Sequence, residues 1–91
     1  MRVKIFATLR QLVGEKEVEV RVDADDTVRN VLEKLTAEYP ALRQHIWDDE
    51  GNLQRFIIVL INGRSIKFLD GLKSAIRESD QLALFPLLGG G

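Results

Sequence analysis

Between Thr27 and Pro40 the chain takes helical spacing, and most of what surrounds that segment takes the spacing of strands. Val28, Val31, Leu32, Leu35 and Tyr39 recur at intervals of three and four, with Arg29, Asn30, Glu33 and Lys34 between them. That periodicity draws an apolar stripe along one face of an amphipathic helix. The acidic run from Asp23 to Thr27 precedes it. Its side-chain oxygens accept from the unpaired N–H groups of a helix start, so Thr27 or Asp26 is the expected N-cap and Pro40 the stop. A helix with one apolar face needs a sheet to cover that face.

The rest of the chain supplies the strands. Met1 to Leu9 alternates, with Val3, Ile5, Ala7 and Leu9 on one side and Arg2, Lys4, Phe6 and Thr8 on the other, which predicts a half-buried strand. Glu17 to Val22 alternates again after a break at Val13 to Lys16. The pair suggests an antiparallel arrangement whose register the long connection hides. Pro40 to Trp47 predicts a short helix with proline in its first turn, and Asp48 to Asn52 a loop. Phe56 to Ile61 is apolar on both faces and runs into Asn62-Gly63, a strong hairpin signal. Arg64 to Lys67 is the expected short return strand. Leu69 to Ser79 holds a helical turn around Leu72 and Ile76, and Gln81 to Phe85 forms a last strand ended by Pro86. The order is therefore strand, strand, helix, strand, short strand, strand. It suggests an α+β fold of the β-grasp kind, a mixed sheet of four to five strands with one main helix on one face. The expected division is a domain over residues 1–86 and a flexible Gly-rich tail over 87–91.

Composition removes several functions. The 91 residues suit one domain, and 13 basic against 14 acidic side chains leave a net charge of −1. Nucleic acid and anionic membranes both favour concentrated positive charge, so neither is an expected partner. The longest apolar run, Phe56 to Ile61, is far too short to span a bilayer. With an alternating strand pattern beginning at Met1 and no signal segment, a cytoplasmic location is expected. There is no cysteine and a single histidine, His45. Disulfides, thiolate metal sites, multi-histidine sites and Cys–His pairs are thereby excluded, and no free-standing catalytic constellation can be assembled.

What remains is the end of the chain. Leu87-Leu88-Gly89-Gly90-Gly91 follows the last apolar strand with no polar spacer. Gly-rich ends are commonly idle, yet this one holds a carboxylate within roughly 17 Å of the folded body when extended. Glycine has no Cβ, which suits a tail that must lie flat in a narrow channel. An extended unbranched end is what an ATP-using enzyme needs to adenylate a carboxylate.

Several segments together resemble the MoaD/ThiS family of ubiquitin-like sulfur carriers, especially the small subunit of molybdopterin synthase. Val3 to Gly14 looks like the family's opening strand and its Arg-x-Leu-x-Gly continuation. Val28 to Leu35 looks like its helix, and Val59 to Gly63 resembles its Val-Asn turn. Asp80 to Pro86, followed by glycines, is similar to its closing signature. The resemblance implies a carrier rather than an enzyme. An E1-like enzyme would use ATP to adenylate the carboxylate of Gly91, with Gly89 and Gly90 threading its channel. A sulfurtransferase would then convert the adenylate to a thiocarboxylate, and the large subunit of molybdopterin synthase would receive the tail. The chain itself would bind no cofactor and no metal. Related members serve thiazole or tRNA thiolation, or form isopeptide bonds to lysines. This chain departs from the family in two places. It ends in three glycines, where a pair is usual, and Leu87-Leu88 stands where a Pro-Val type spacer is usual.

One further surface is expected. Phe6 and Phe85 are out of phase with the buried sides of their strands, and one helix cannot cover both faces of a sheet. The uncovered face is either a partner site or masked by loops or a second copy. Under the resemblance Phe6, Phe85, Pro86, Leu87, Leu88 and Arg10 are its partner-binding residues. His45 is expected to be a surface or half-buried residue, the Asp48-Asp49-Glu50 loop to be solvated, Trp47 to join a satellite of the core, and the lysines to be ordinary surface residues.

Overall fold

The computed structural model describes residues 1–87. The readings for Leu88, Gly89, Gly90 and Gly91 lie outside the described residues. Five strands form one mixed sheet: β1 Arg2–Ile5, β2 Glu17–Glu19, β3 Ile57–Ile61, β4 Arg64–Ser65 and β5 Gln81–Pro86. Their order is β2-β1-β5-β3-β4. β1 lies parallel to β5, pairing Arg2 with Gln81 and Ile5 with Leu84, and antiparallel to β2, pairing Val3 with Val18. This is the expected β-grasp arrangement, with first and last strands side by side at its centre.

The long helix α2, Val28–Glu38, lies across the sheet. Thr27 caps it as the sequence predicts: its hydroxyl accepts from the Asn30 N–H, and the Asn30 side chain accepts from the Thr27 N–H at 2.9 Å. This reciprocal pair satisfies two groups that would otherwise be orphaned. Val28, Val31, Leu32 and Leu35 are completely buried, as are Val3, Ile5, Leu82 and Leu84 of the two central strands. Each such aliphatic side chain contributes about 1.5–3 kcal/mol relative to exposure. Trp47 packs at the margin of this core, and its indole N–H donates to the buried Thr36 hydroxyl at 3.2 Å.

Four expectations need correction. The strand from Met1 does not reach Leu9. β1 stops at Ile5, and Ala7–Val13 forms a helix, α1, closed by Gly14 at φ 86° with its N–H on the Arg10 carbonyl. Leu9 is buried as predicted, but from a helix, and Ala7 is exposed. Leu9 and Val13 are four apart, so the same leucine satisfies both periods over so short a span. β2 covers only Glu17–Glu19, although Val20 continues into the core. The return strand is limited to Arg64–Ser65, because Ile66–Phe68 turns into a 3₁₀ segment capped by the Ser65 hydroxyl. The short helix after Pro40 is split into a 3₁₀ turn, Pro40–Leu42, and α3, Arg43–Ile46. The hairpin itself is as expected: Asn62 and Gly63 both have positive φ, 50° and 84°, as a type I′ turn requires. Among the described residues no helix is long and apolar enough to cross a membrane.

Two predictions follow from local features. Ala7 carries φ 55°, a left-handed value that an L-residue adopts at a cost of the order of 1 kcal/mol. Ala7→Gly is expected to leave stability unchanged or to raise it by up to about 1 kcal/mol in urea denaturation, whereas Ala7→Val lowers it; a clear loss in Ala7→Gly would contradict the strain. The second concerns Lys34, which donates to Asp23 at 2.8 Å, to Asp26 at 2.6 Å and to the Arg21 carbonyl at 3.0 Å. Hydrogen bonding to Lys34 holds both carboxyls below their ordinary 3.8 and raises Lys34 above 10.5. The carboxylate contribution is therefore complete above the unfolded value and disappears as pH falls through the lower folded one; that of Lys34 disappears as pH rises past 10.5. Lys34→Met should be modestly less stable than the parent at neutral pH, with the difference shrinking in acid below the folded carboxylate values to what the Arg21 carbonyl bond contributes. A difference that does not shrink there would refute the linkage.

Candidate functional site

The parallel pairing of β1 with β5 brings the two predicted aromatic residues together. Because Ile5 pairs with Leu84, the next residues on the side of the sheet away from α2 are Phe6 and Phe85. Their rings stack with centroids 4.3 Å apart and planes 9° from parallel. The Phe6 N–H closes the ladder on the Leu84 carbonyl at 3.2 Å, and the chain then turns into α1. Arg10, one helical turn on, returns over the same ring, its guanidinium carbon 5.5 Å from the Phe6 centroid and its Nε donating to the Ile5 carbonyl at 3.0 Å. A cation above one ring face and a second ring on the other make a three-layer stack.

The root of the tail is fixed from the other side. Ile58 pairs with Phe85 and Ile57 with Pro86, and the Leu87 N–H donates to the Phe56 carbonyl at 2.6 Å. Backbone N–H groups on β5 alternate in direction, so the missing N–H of Pro86 faces the β1 side, where β1 has already left the sheet. Proline therefore costs no ladder bond here. It belongs to β5 rather than merely ending it.

Sequence reasoning placed Phe6, Phe85, Pro86, Leu87 and Arg10 in one surface, and the structure gathers all five around the point where the tail departs. Phe6 and Phe85 are half-buried rather than open, since each covers one face of the other. The half-buried Ile58, Leu60 and Ala83 continue the apolar face across the sheet, and Phe56 and Leu87 rim it at 41% and 49% exposure. Around Phe6 and Arg10 a shallow cleft of about 210 Å³ includes Lys4, Lys16 and Glu17. The surface is thus apolar at the centre and basic along the β1 edge. Phe56 and the two lysines were not foreseen. Phe56 acts through its carbonyl, which no side-chain pattern reveals, and Lys4 and Lys16 meet only because α1 folds the chain back.

The remaining candidates lie elsewhere. His45 is half-buried, and Asp48 uses its carboxylate to accept from the N–H groups of Glu50 and Asn52, both at 2.9 Å. Among the described residues no three His, Cys, Asp or Glu side chains gather as a metal site. A wider groove of about 600 Å³ lies beside α2, on the opposite side of the sheet from the tail root. There Arg29 lies 4.8 Å from the Trp47 ring centroid and donates twice to the Gly51 carbonyl, at 2.6 and 3.1 Å. Those bonds tie the Asp48–Asn52 loop to the helix. Its volume exceeds that of the cleft at Phe6, but its lining residues, between Arg29 and Gln54, include none of those gathered at the tail root.

Comparison with known proteins agrees with this geometry. The ThiS family model matches residues 3–91. Small archaeal modifier protein 3 of Haloferax volcanii is 40% identical over 91 residues, covering all of this chain and 98% of its own. The sulfur carrier protein CysO of Mycobacterium tuberculosis is 30% identical over 80 residues, 86% of this chain and 83% of its own. Among solved structures, SAMP1 from Haloferax volcanii superposes with a TM-score of 0.89 at 39% identity over 99% of this chain and 97% of that one. CysO in the BexX/CysO complex of Amycolatopsis orientalis superposes at 0.83 with 28% identity over 99% and 98%. A β-grasp body, a stacked aromatic pair at the end of the last strand and a match along nearly the whole chain lead to one conclusion: the chain belongs to the ThiS family of ubiquitin-like sulfur carriers and modifiers.

Proposed function

We propose that this chain is a sulfur carrier whose C-terminal carboxylate is its reactive group. An E1-like enzyme uses ATP to adenylate Gly91, releasing pyrophosphate. The persulfide of a sulfurtransferase then displaces AMP to give an acyl disulfide, and a thiol reductant cleaves its S–S bond, leaving a thiocarboxylate and a disulfide of the two thiols. The chain contributes no acid, base or bound cofactor to these steps. It contributes a docking face, formed by Phe6, Phe85, Arg10, Pro86 and Leu87, and a fixed origin for the tail at the Leu87–Phe56 hydrogen bond. The family match running to residue 91 carries this reading, because it includes the glycines themselves. The most specific acceptor the sequence suggests is the large subunit of a molybdopterin synthase, which would take the tail into its active site and transfer sulfur to a pterin precursor.

A second reading has its own support. The relative at 40% identity carries the name of a small archaeal modifier protein. Conjugation of Gly91 to target lysines begins with the same adenylate and differs only in the nucleophile that accepts it. Of this chain's own lysines, Lys34 is the least suited to accept such a bond, since it is held charged by Asp23 and Asp26.

Deleting Gly91 is expected to abolish ATP–pyrophosphate exchange by the matching E1-like enzyme while leaving the thermal midpoint unchanged. Full exchange without Gly91 would overturn the proposal. Phe85→Ala, checked by circular dichroism for an intact fold, should raise the KM of this protein in the same assay about tenfold or more with little change in kcat. An unchanged KM would remove the stack from the docking face. Immunoblots of cells carrying a tagged copy separate the two readings: a ladder of conjugates that survives reducing agent supports the modifier, a single small band the carrier.

A further inference from the structure

The sheet edge furthest from β2 is only partly guarded. β4 pairs with β3 through Leu60–Ser65 and Ile61–Arg64 alone, because the chain leaves the sheet at Ile66. Ile57, Ile58 and Val59 pair with β5 on one side and, among the described residues, with no strand on the other. An edge of this kind offers main-chain groups to an incoming extended segment.

Two further observations concern the same place. Beside the edge lies an apolar slot of about 210 Å³ whose lining includes Leu53, Ile57, Val59, Ile66, Lys67 and Leu72. Phe68 is next in the chain and stands 78% exposed, followed by Leu69 at 38%. Among the described residues Phe68 is the most exposed of the large apolar side chains. The charge here is also one-sided. From residue 53 to 73 the basic residues are Arg55, Arg64, Lys67 and Lys73, against Asp70 alone, in a chain whose net charge is −1. None of those four cations forms an ion pair among the described residues.

We infer that this edge docks an extended partner segment of aliphatic residues flanked by carboxylates. The segment adds to the sheet beside Ile57–Val59, places one aliphatic side chain in the slot against Leu53 and Leu72, and sets its acidic flanks near Lys67 and Lys73. Charge complementarity selects the acidic flanks, and the free edge selects an extended rather than a helical partner. The segment lies on the side of β3 away from β5, whereas Phe6 lies at the end of β1 beyond β5, so a partner held there does not cover Phe6. This surface does not depend on which nucleophile receives the activated tail.

The test uses the ¹⁵N-labelled full chain titrated with a synthetic peptide of about eight residues, aliphatic at its centre and aspartate at both ends. Amide shifts are expected at Ile57, Val59 and Leu72, without comparable shifts at Phe6 or Arg10. The double variant K67E/K73E, whose altered residues are solvent-exposed, should keep its thermal midpoint and weaken binding about tenfold. A peptide with lysine in place of aspartate should recover that loss in the variant. Shifts centred on Phe6 and Arg10, or equal binding by the parent and the charge-reversed variant, would overturn the proposal. So would co-sedimentation with phosphatidylserine vesicles in place of peptide binding, which would assign the basic apolar edge to a lipid surface. Concentration-dependent dimerisation that protects Ile57–Val59 in the absence of peptide would overturn it in favour of a second copy.

Discussion

The adjacency of β1 and β5 organises the molecule on both sides of the sheet. Facing α2, it aligns Val3 and Ile5 with Leu82 and Leu84, four wholly buried side chains that form the floor of the core. Facing away, the same register brings Phe6 beside Phe85. Parallel neighbours cannot be joined by a tight turn, so the chain between them must cross over. That crossover contains α2, and its burial fixes the register. A slip of one residue would exchange the two faces of β5, exposing Leu82 and Leu84 and burying Phe85. Core packing and presentation of the tail are therefore set by one constraint.

The way the chain leaves the sheet follows from the same pairing. β1 ends at the Phe6–Leu84 hydrogen bond while β5 continues to Pro86, whose absent N–H falls where β1 is no longer present. On its other side β5 is held by β3 as far as the Leu87–Phe56 bond. One neighbour ends early and the other continues, so the tail departs from a strand still anchored along one side. The Arg10 guanidinium closes the arrangement above Phe6. Its position depends on α1, and α1 begins at the strained Ala7.

The elements with long or unambiguous patterns were legible from residues alone. α2 has four core positions and a capping pair, and Asn62-Gly63 can adopt the two positive φ values that a two-residue hairpin needs. α1 was not legible, because over Ala7 to Val13 a strand and a helix both place Leu9 inward, and only tertiary packing decides between them. Gly14, sitting just past Val13, was the available signal, since glycine commonly ends a helix in the left-handed conformation. The truncation of β4 was hidden for a similar reason: Arg64 to Lys67 alternates well enough, but the Ser65 hydroxyl offers the backbone a competing hydrogen bond. Phe6 and Phe85 could be assigned to one face from their phase, whereas their stacking needed the β1–β5 register. The basic rim of Lys4 and Lys16 arises from the fold-back at α1, which the pattern had assigned to a strand.

In the function proposed for this chain, the body supplies no chemistry of its own, and the reactivity of the last glycyl group comes from the enzyme that adenylates it. That claim is tested most directly by intact-mass spectrometry of the purified full chain after incubation with ATP, its E1-like enzyme, a sulfurtransferase charged with sulfur and a thiol reductant. The account predicts a mass gain equal to replacement of one oxygen by sulfur, localised to Gly91 by fragmentation and absent when the C-terminus is amidated. An unmodified C-terminus under conditions in which the same enzyme thiolates another family member, or sulfur found on any other residue, would contradict it.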